Sequence, residues 1–211
     1  MYSAFEKLAQ DKKEHILSVC IEEFAKNGFE KTSTDRITNR AGISKGILFH
    51  YFKNKKNLYL YVVNYLRTFI GDQIMEAVKQ VQSEDFFERM KEVVLIKQRV
   101  SLQYEQEMKL ASIALLQPPA GMEEDMKKLL QQNVDDYSED FLSKMLDKSL
   151  LREFVDPDKV IQLSTLALQQ VSTKYTALFK TNEASFENLQ KLMIAEIDDY
   201  IDLIKFGVYK K

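Results

Sequence analysis

Residues 33–58 read STDRITNRAGISKGILFHYFKNKKNL, and this stretch carries residue types that mark the ends of short helices. Ser33 or Thr34 can cap one helix and Ser44 can cap the next, because their hydroxyl oxygens accept hydrogen bonds from free N–H groups in a first helical turn. Gly42 stands between them, where a tight turn needs a positive φ. The stretch therefore predicts two very short helices joined by a tight turn.

Such short helices need a neighbour, because isolated helices of this length are unstable in water. Segment 13–27 supplies one, since apolar residues recur there at helical spacing until Gly28, which we expect to end the helix as a C′ glycine. Asn54 can cap a further helix after the pair. The residues expected in the shared core are Ile16, Leu17, Cys20, Ile21, Phe24, Ala25, Ile37, Ala41, Ile43, Leu48 and Phe52. The sequence thus predicts a three-helix unit that contains a helix-turn-helix.

Charge is distributed unevenly along the chain. Residues 1–67 contain 12 Lys and Arg against 7 Asp and Glu, whereas residues 68–211 contain 18 against 25. The formal charge of −2 for the whole chain hides this difference. Between Lys31 and Arg67 the acidic residue is Asp35, so a phosphate backbone would be attracted to this segment. A helix-turn-helix in a basic segment indicates double-stranded DNA as a partner.

A set of positions in the same segment gives a more specific signal. They are Gly28, Phe29, Thr32, Ser33, Ile37, Ala41, Gly42, Ile43, Ser44, Gly46, Leu48, Tyr51, Phe52, Lys55 and Leu58. Together they resemble the N-terminal signature of the TetR/AcrR family of transcriptional regulators. The resemblance implies an all-α fold, with a helix-turn-helix DNA-binding domain at residues 1–54 and a helical-bundle domain for ligand binding and dimerisation at residues 55–211.

The resemblance also implies roles for individual residues at the DNA. Residues on or beside the recognition helix, whose N-terminal part enters the major groove, would be Ser44, Lys45, Gly46, Phe49, His50 and Tyr51. Lys45 and His50 are the candidates for base contacts. Positions that commonly contact phosphates in the family are matched by Thr32, Ser33, Tyr51 and Lys55.

Three positions depart from the family pattern. Phe49 lacks the hydroxyl of the usual tyrosine, Thr38 replaces the usual alanine, and Lys56 replaces a usual acidic residue. Lys56 opposes the helix dipole in the first turn of its helix. Two interpretations stay open for it: a contribution to a phosphate clamp, or a solvated lysine.

Metal, cofactor and enzyme chemistry are poorly supported. His15 and His50 are far apart in the sequence, and the single cysteine, Cys20, lies on an apolar helix face, so we expect no metal, cofactor or internal disulfide. Adjacent acids such as Asp198 and Asp199 point about 100° apart on a helix, and no nucleophile motif accompanies them. The absence of a secretory signal and of a long apolar run predicts a cytoplasmic protein that does not enter a membrane.

The pattern after Asn54 is helical nearly throughout. We expect helices near 55–81, 84–98, 101–116, 121–148, 158–181 and 185–206. Asp156 is expected to cap the fifth of these, with Pro157 at its first position. The first long helix would run from the DNA-binding unit into the second domain and connect the two mechanically.

The last two predicted helices carry more apolar surface than one core face needs. The residues concerned are Val160, Ile161, Leu163, Leu166, Ala167, Leu168, Val171, Tyr175, Leu178, Phe179, Phe186, Leu189, Leu192, Met193, Ile194, Ile197, Tyr200, Ile201 and Ile204. Since helices buried on two sides have two partners, we expect a homodimer built on these helices, with an entirely intrachain core as the alternative. A dimer would place two recognition helices about 34–36 Å apart on the half-sites of a palindrome.

The middle helices contain large, adaptable side chains. Those that the resemblance suggests for an effector pocket are Phe86, Phe87, Met90, Tyr104, Met108, Leu116, Met122, Met126, Tyr137, Phe141 and Tyr175. Methionine and aromatic residues at helical spacing also serve as ordinary packing, so core and pocket remain alternatives. Such a lining would suit a mainly apolar small molecule.

The function expected from these features is that of a ligand-responsive repressor. A homodimer would bind a palindromic operator and be released by the effector. Activation would use the same parts, so the sign of regulation stays open. The alternative is a nonspecific or architectural DNA-binding protein, which would bind any duplex with strong salt dependence.

Overall fold

The structure is a computed structural model, and it describes residues 2–131, 146–181 and 186–208. These residues are mainly α-helical, which confirms the predicted all-α fold. The helices are α1 (Ser3–Glu6), α2 (Gln10–Lys31), α3 (Thr34–Ala41), α4 (Lys45–Phe52), α5 (Lys55–Val78), α6 (Phe86–Gln103), α7 (Glu105–Leu116), α8 (Glu123–Gln131), α9 (Pro157–Thr181) and α10 (Phe186–Val208). No helix within the described ranges is long and apolar enough to cross a membrane.

Most predicted helix boundaries agree with the structure to within a few residues. The predicted helix 121–148 is wrong at its end, because Leu146 and Asp147 are not helical. Asp147 instead caps a short 3-10 turn, Lys148–Leu150, by accepting the N–H of Ser149 at 2.9 Å. The middle of that predicted helix lies outside the described residues.

The helices pack into two compact units. The first contains the described residues within Met1–Asp72 and Tyr104–Gln132, and the second contains those within Gln73–Gln103 and Asn133–Lys211. Helix α5 therefore contributes residues to both units. The functional division after residue 54 stays a prediction.

In the first unit, α2 packs against α3 and α7, and α4 packs against α1 and α3. Its core includes nearly all of the residues predicted for it, with Ala25 and Ile43 only partly buried. Each large apolar side chain buried there contributes roughly 1.5–3 kcal/mol. Cys20 is fully buried, and burial raises its pKa to about 12, so it is the unreactive core thiol that its position predicts.

The predicted helix caps are present. Ser33 Oγ accepts the N–H of Arg36 at 3.5 Å, and it is Ser33 rather than Thr34 that caps α3. Ser44 Oγ accepts the N–H of Ile47 at 3.2 Å at the start of α4. These local hydrogen bonds explain why two helices of only eight residues begin where they do.

The other residues predicted to begin or end helices also take the expected conformations. Gly42 has φ 64° after α3, and Asn54 Oδ1 accepts the N–H of Asn57 at 2.8 Å in the first turn of α5. Gly28, with φ 67° and ψ 177°, breaks the helical backbone as expected, and a short second helical segment follows it to Lys31 within the range of α2.

A strained turn joins α4 to α5. Lys53 has φ 68° and ψ −47°, and the N–H of Asn54 donates to the carbonyl of Phe52 at 2.8 Å. This hydrogen bond between residues i and i+2 defines a γ-turn with Lys53 at its centre. A residue with a Cβ is strained by about 1–3 kcal/mol in so rarely populated a conformation.

The variant Lys53→Gly should therefore raise the free energy of unfolding by about 1 kcal/mol, because glycine adopts this conformation without a Cβ clash. Urea unfolding measures the change. Lys53→Ala is the matched control, since it removes the same side chain but keeps the Cβ. Equal stability of the two variants would show that the turn stores no strain.

The second unit is held together by α6, α9 and α10. Phe86 and Phe87 of α6 share a buried cluster with Tyr175 of α9 and Ile197 of α10. Asp85 Oδ1 caps α6 by accepting the N–H groups of residues 87 and 88 at 3.0 and 3.1 Å. At the start of α9, an Asp156 side-chain oxygen accepts the N–H of residue 158 at 2.9 Å, which confirms the predicted cap.

Candidate nucleic-acid interface

Helix α4 separates into a buried side and an exposed side. Leu48 and Phe52 are buried in the core of the first unit. Lys45, Gly46 and Ile47, at the N-terminal end of the helix, are all exposed. The buried pair fixes the helix on α1 and α3, so its N-terminal half is held rigidly with these three residues facing solvent.

Lys45 is the exposed cation at the start of α4. Its Nζ lies 2.7 Å from Oδ1 of Asp35, and both side chains are more than half exposed. Exposed pairs of this kind contribute little to stability and are screened by salt. Lys45 can therefore leave Asp35 for a base or a phosphate at small cost.

Glycine at position 46 is not required by the fold. A Cβ built there would meet Ser44 Oγ at 3.8 Å, which is an ordinary van der Waals contact. Glycine also costs roughly 1 kcal/mol relative to alanine inside a helix. A partner that approaches this surface closely gives a reason for the missing side chain.

Ile47 is a surface residue that the sequence analysis did not select. It is an exposed apolar side chain next to Lys45 and Gly46 on α4. An apolar side chain at this place can contact the methyl group of a thymine. The sequence could have indicated this exposure, because Leu48 and Phe52 share the core face of the helix and Ile47, one residue before Leu48, lies outside it.

The other recognition-helix candidates take different positions. His50 is exposed, with its ring centroid 5.9 Å from that of Tyr51. Phe49 and Tyr51 are half-buried. Ser44 is exposed but uses its Oγ as the cap of α4. Base and phosphate contacts by these residues remain predictions.

Thr32, which matches a position that commonly contacts phosphate, has its side chain inside the first unit, and the phosphate contact stays a prediction. Thr32 is only 4% exposed, and its Oγ1 lies 3.0 Å from the carbonyl oxygen of Glu23 and 2.6 Å from that of Gly28. The hydroxyl donates to these main-chain acceptors inside the unit, where it secures the last turn of α2. Ser33 is half-buried and uses its Oγ as the cap of α3.

Lys55 binds the end of α2. Its Nζ donates to the carbonyl oxygens of Glu30 and Thr32, each at 3.1 Å, and lies 4.6 Å from the centroid of the Phe29 ring. Carbonyl groups at a helix C-terminus are unpaired and carry partial negative charge, so an ammonium group is favourable there. In the chain without DNA, Lys55 therefore ties α5 to α2.

Because of these contacts, Lys55→Met should lower the free energy of unfolding by about 1–2 kcal/mol. Methionine keeps an unbranched stem but cannot donate to the two carbonyl groups. Lys31 is an exposed lysine at the end of α2 that Lys55 contacts, so Lys31→Met is the control. Comparison of the two variants by urea unfolding isolates the effect of the Lys55 hydrogen bonds. If the two variants are equally stable, the Lys55 contacts contribute nothing.

Lys56 is paired in this structure, although its side chain is 43% exposed. Its Nζ lies 2.9 Å from Oδ2 of Asp125 and donates to the carbonyl oxygen of Gly121 at 3.0 Å. The first turn of α5 is thereby joined to the first turn of α8. A phosphate contact by Lys56 would have to replace both interactions.

Several cations of the basic segment have acidic partners from α2. Arg40 binds both Glu22 and Glu23, and the Arg36 guanidinium lies 3.6 Å from Glu23. Glu23 itself is buried and also accepts a hydrogen bond from Asn27 at 3.1 Å. The count of basic residues between positions 31 and 67 therefore overstates the free positive charge, because acids from outside that range fold onto it.

The predicted pocket residues are divided between the two units. Phe86, Phe87, Met90 and Tyr175 belong to the core of the second unit. Those in the first unit are Tyr104, Met108, Leu116, Met122 and Met126, of which Met122 and Met126 are buried and Leu116 is 80% exposed. Tyr137 and Phe141 lie outside the described residues. Their role as a pocket lining stays a prediction.

Metal ligation finds no support in the part of the chain that the structure describes, because no group of three or more His, Cys, Asp and Glu side chains lies close enough to hold an ion.

Known proteins are similar to this chain in the segment that contains α4 and its exposed surface. The sequence model of the family described as "Bacterial regulatory proteins, tetR family" matches residues 16–62. The transcriptional regulator RutR of Escherichia coli (strain K12) is 32% identical over 127 residues, which cover 57% of this chain and 58% of that protein. The regulator QacR of Staphylococcus aureus is 44% identical over 52 residues, covering 25% of this chain and 28% of the relative. The chain thus matches little more than half the length of these relatives, or less.

Solved structures resemble the whole chain in fold. A TetR family transcriptional regulator from Chloroflexus aurantiacus has a TM-score of 0.66 at 21% identity, covering 99% of this chain and 98% of the other. The fatty acid degradation regulator FadR from Bacillus halodurans has a TM-score of 0.60 at 16% identity, covering 92% and 98%. These identities show a shared fold. The chain thus shares the fold of solved TetR family regulators, and its residues 16–62 match the sequence model of the tetR family.

Proposed function

We propose that the protein is a DNA-binding transcriptional regulator that acts as a homodimer on an inverted repeat. The observation that carries the proposal is the exposed N-terminal half of α4, where Lys45, Gly46 and Ile47 face solvent on a helix fixed by its buried opposite side. A rigid helix with an exposed N-terminal end is what a major groove admits.

Unpartnered apolar side chains on α9 and α10 support the dimer. Leu166 is 70% exposed on α9 and Leu203 is 71% exposed on α10. Other exposed apolar residues on the two helices are Leu163, Leu192, Tyr200 and Phe206. Each helix also has a buried face in the second unit, so the two-sided pattern expected from the sequence is present. A second subunit would cover the exposed side.

The proposed regulation is release of DNA by a small molecule. A mainly apolar effector suits the methionine and aromatic side chains of the middle helices, with Tyr104 or Tyr175 as a polar anchor. Such a ligand acts by binding the DNA-incompetent state more tightly than the competent one. We propose that α5 transmits the change, because only two residues separate it from α4 and it contributes to both units.

Selection of bound duplexes from a random DNA pool tests the proposal. Enrichment of an inverted repeat would support a specific regulator and would supply a probe for effector screening. Salt-sensitive binding without enrichment would favour the architectural alternative.

A further inference from the structure

An aromatic cluster connects the N-terminal segment to the proposed recognition helix. Helix α1 has only four residues, which cannot form a stable helix without tertiary contacts. Its Phe5 is 0% exposed. The segment before α2 is therefore an ordered part of the first unit, and Phe5 is its buried side chain in α1.

The Phe5 ring lies against three aromatic side chains. Its centroid is 5.6 Å from that of Tyr51 with an interplanar angle of 63°, and 4.9 Å from that of Phe52. Tyr61 of α5 lies edge-on at 5.4 Å and 82°. Contacts of this geometry are favourable beyond the area they bury. Phe5 thus forms one wall of the site in which the Tyr51 ring lies.

Additional contacts fix α1 in this position. Tyr2 packs on Tyr61 at 4.8 Å and donates its hydroxyl to the carbonyl of Asn57 at 3.4 Å. Glu6 accepts the Tyr61 hydroxyl and lies 3.7 Å from Lys13 Nζ. The N-terminal segment is thereby joined to α2 and α5, and these contacts hold Phe5 in a fixed position.

Tyr51 is the member of the cluster that the proposed function uses. It is half-buried on α4, so part of its side chain remains open to solvent while its ring packs on Phe5 and Phe52. We propose that Phe5 is a positioning residue for DNA binding: it holds the Tyr51 ring by edge contact so that the hydroxyl is available to a DNA phosphate. This inference rests on the proposed function.

A double-mutant cycle on the affinity for the selected duplex tests the inference. Phe5→Ala should weaken binding about tenfold in the native background but less than about threefold in the Tyr51→Phe background, because coupled residues are not additive. Phe5→Ala combined with Lys45→Ala is the control, and its two effects should multiply. Phe5→Leu, which keeps an apolar side chain without the ring, should show the same coupling to Tyr51 if Phe5→Ala proves unstable.

A second readout needs no DNA. NMR of fluorotyrosine-labelled protein should show a shifted and narrowed Tyr51 resonance in both Phe5 variants, as the ring gains freedom. Effects of Phe5 and Tyr51 that multiply, or a Tyr51 resonance unchanged by the Phe5 variants, would overturn the inference and leave the proposed function standing. A native protein that selects no duplex would overturn both.

Discussion

Leu166→Glu is expected to convert the proposed dimer into monomers and to weaken binding to an inverted-repeat duplex by about a hundredfold or more. Leu166 is an exposed apolar residue on α9, opposite the face that packs in the second unit. In a dimer it would be covered, and a carboxylate there would lose its hydration without gaining a partner. A monomer would also lose the second half-site. Analytical ultracentrifugation and fluorescence anisotropy measure the two effects.

Thr165→Glu is the matched control for this variant. It adds the same charge at the neighbouring exposed position of α9, which turns about 100° away from Leu166. Leu203→Glu on α10 should behave like Leu166→Glu. Dimers that persist in both leucine variants would place the subunit contact elsewhere, whereas a native protein that is already a monomer would contradict the proposed dimer.

Lys45→Ala should weaken binding to the selected duplex by roughly tenfold to a hundredfold and should reduce discrimination against a duplex altered at one base pair, since a base contact contributes about 1–3 kcal/mol. The exposed position of Lys45 at the start of α4 supports this expectation. Because its surface pair with Asp35 is weak, the substitution should change the free energy of unfolding little. Competition between matched and mismatched duplexes measures the change.

Lys12→Ala removes an exposed lysine from the start of α2 and serves as the control. It should leave base discrimination unchanged. Equal losses on matched and mismatched duplexes for Lys45→Ala would mean that Lys45 contacts phosphate and reads no base.

Local features of the first unit could be predicted because their causes are local. Ser44 and Asn54 cap helices through hydrogen bonds to residues three positions away. Gly42 has the positive φ that its place in the turn requires. Helical periodicity likewise identified buried residues such as Ile37 and Leu48.

Contacts between distant residues could not be predicted from the same pattern. Lys56 has its partner in Asp125, which is far along the chain and belongs to a helix with its own periodicity. Burial of the Thr32 hydroxyl depends on how the end of α2 turns after Gly28. Phe5 was missed because four residues show no helical period, and its contacts come from α4 and α5.

Apolar spacing also predicted only part of the second unit. Apolar spacing predicted that α9 and α10 have two apolar sides, and Leu166 does lie exposed. Periodicity did not show that Phe206, near the end of α10, is exposed as well. The pattern also cannot separate core from pocket, since Phe86 and Tyr175 lie in one packed cluster whatever else they contact.

The stoichiometry of the complex on a selected duplex tests the central claim most directly. The mass of the complex, measured by native mass spectrometry on the full repeat and on a half-site, reports how many subunits bind and whether they need both half-sites. We expect two or four subunits on the full repeat and binding to the half-site that is weaker by about a hundredfold or more. A single subunit bound equally tightly to both duplexes would contradict a dimeric regulator of inverted repeats.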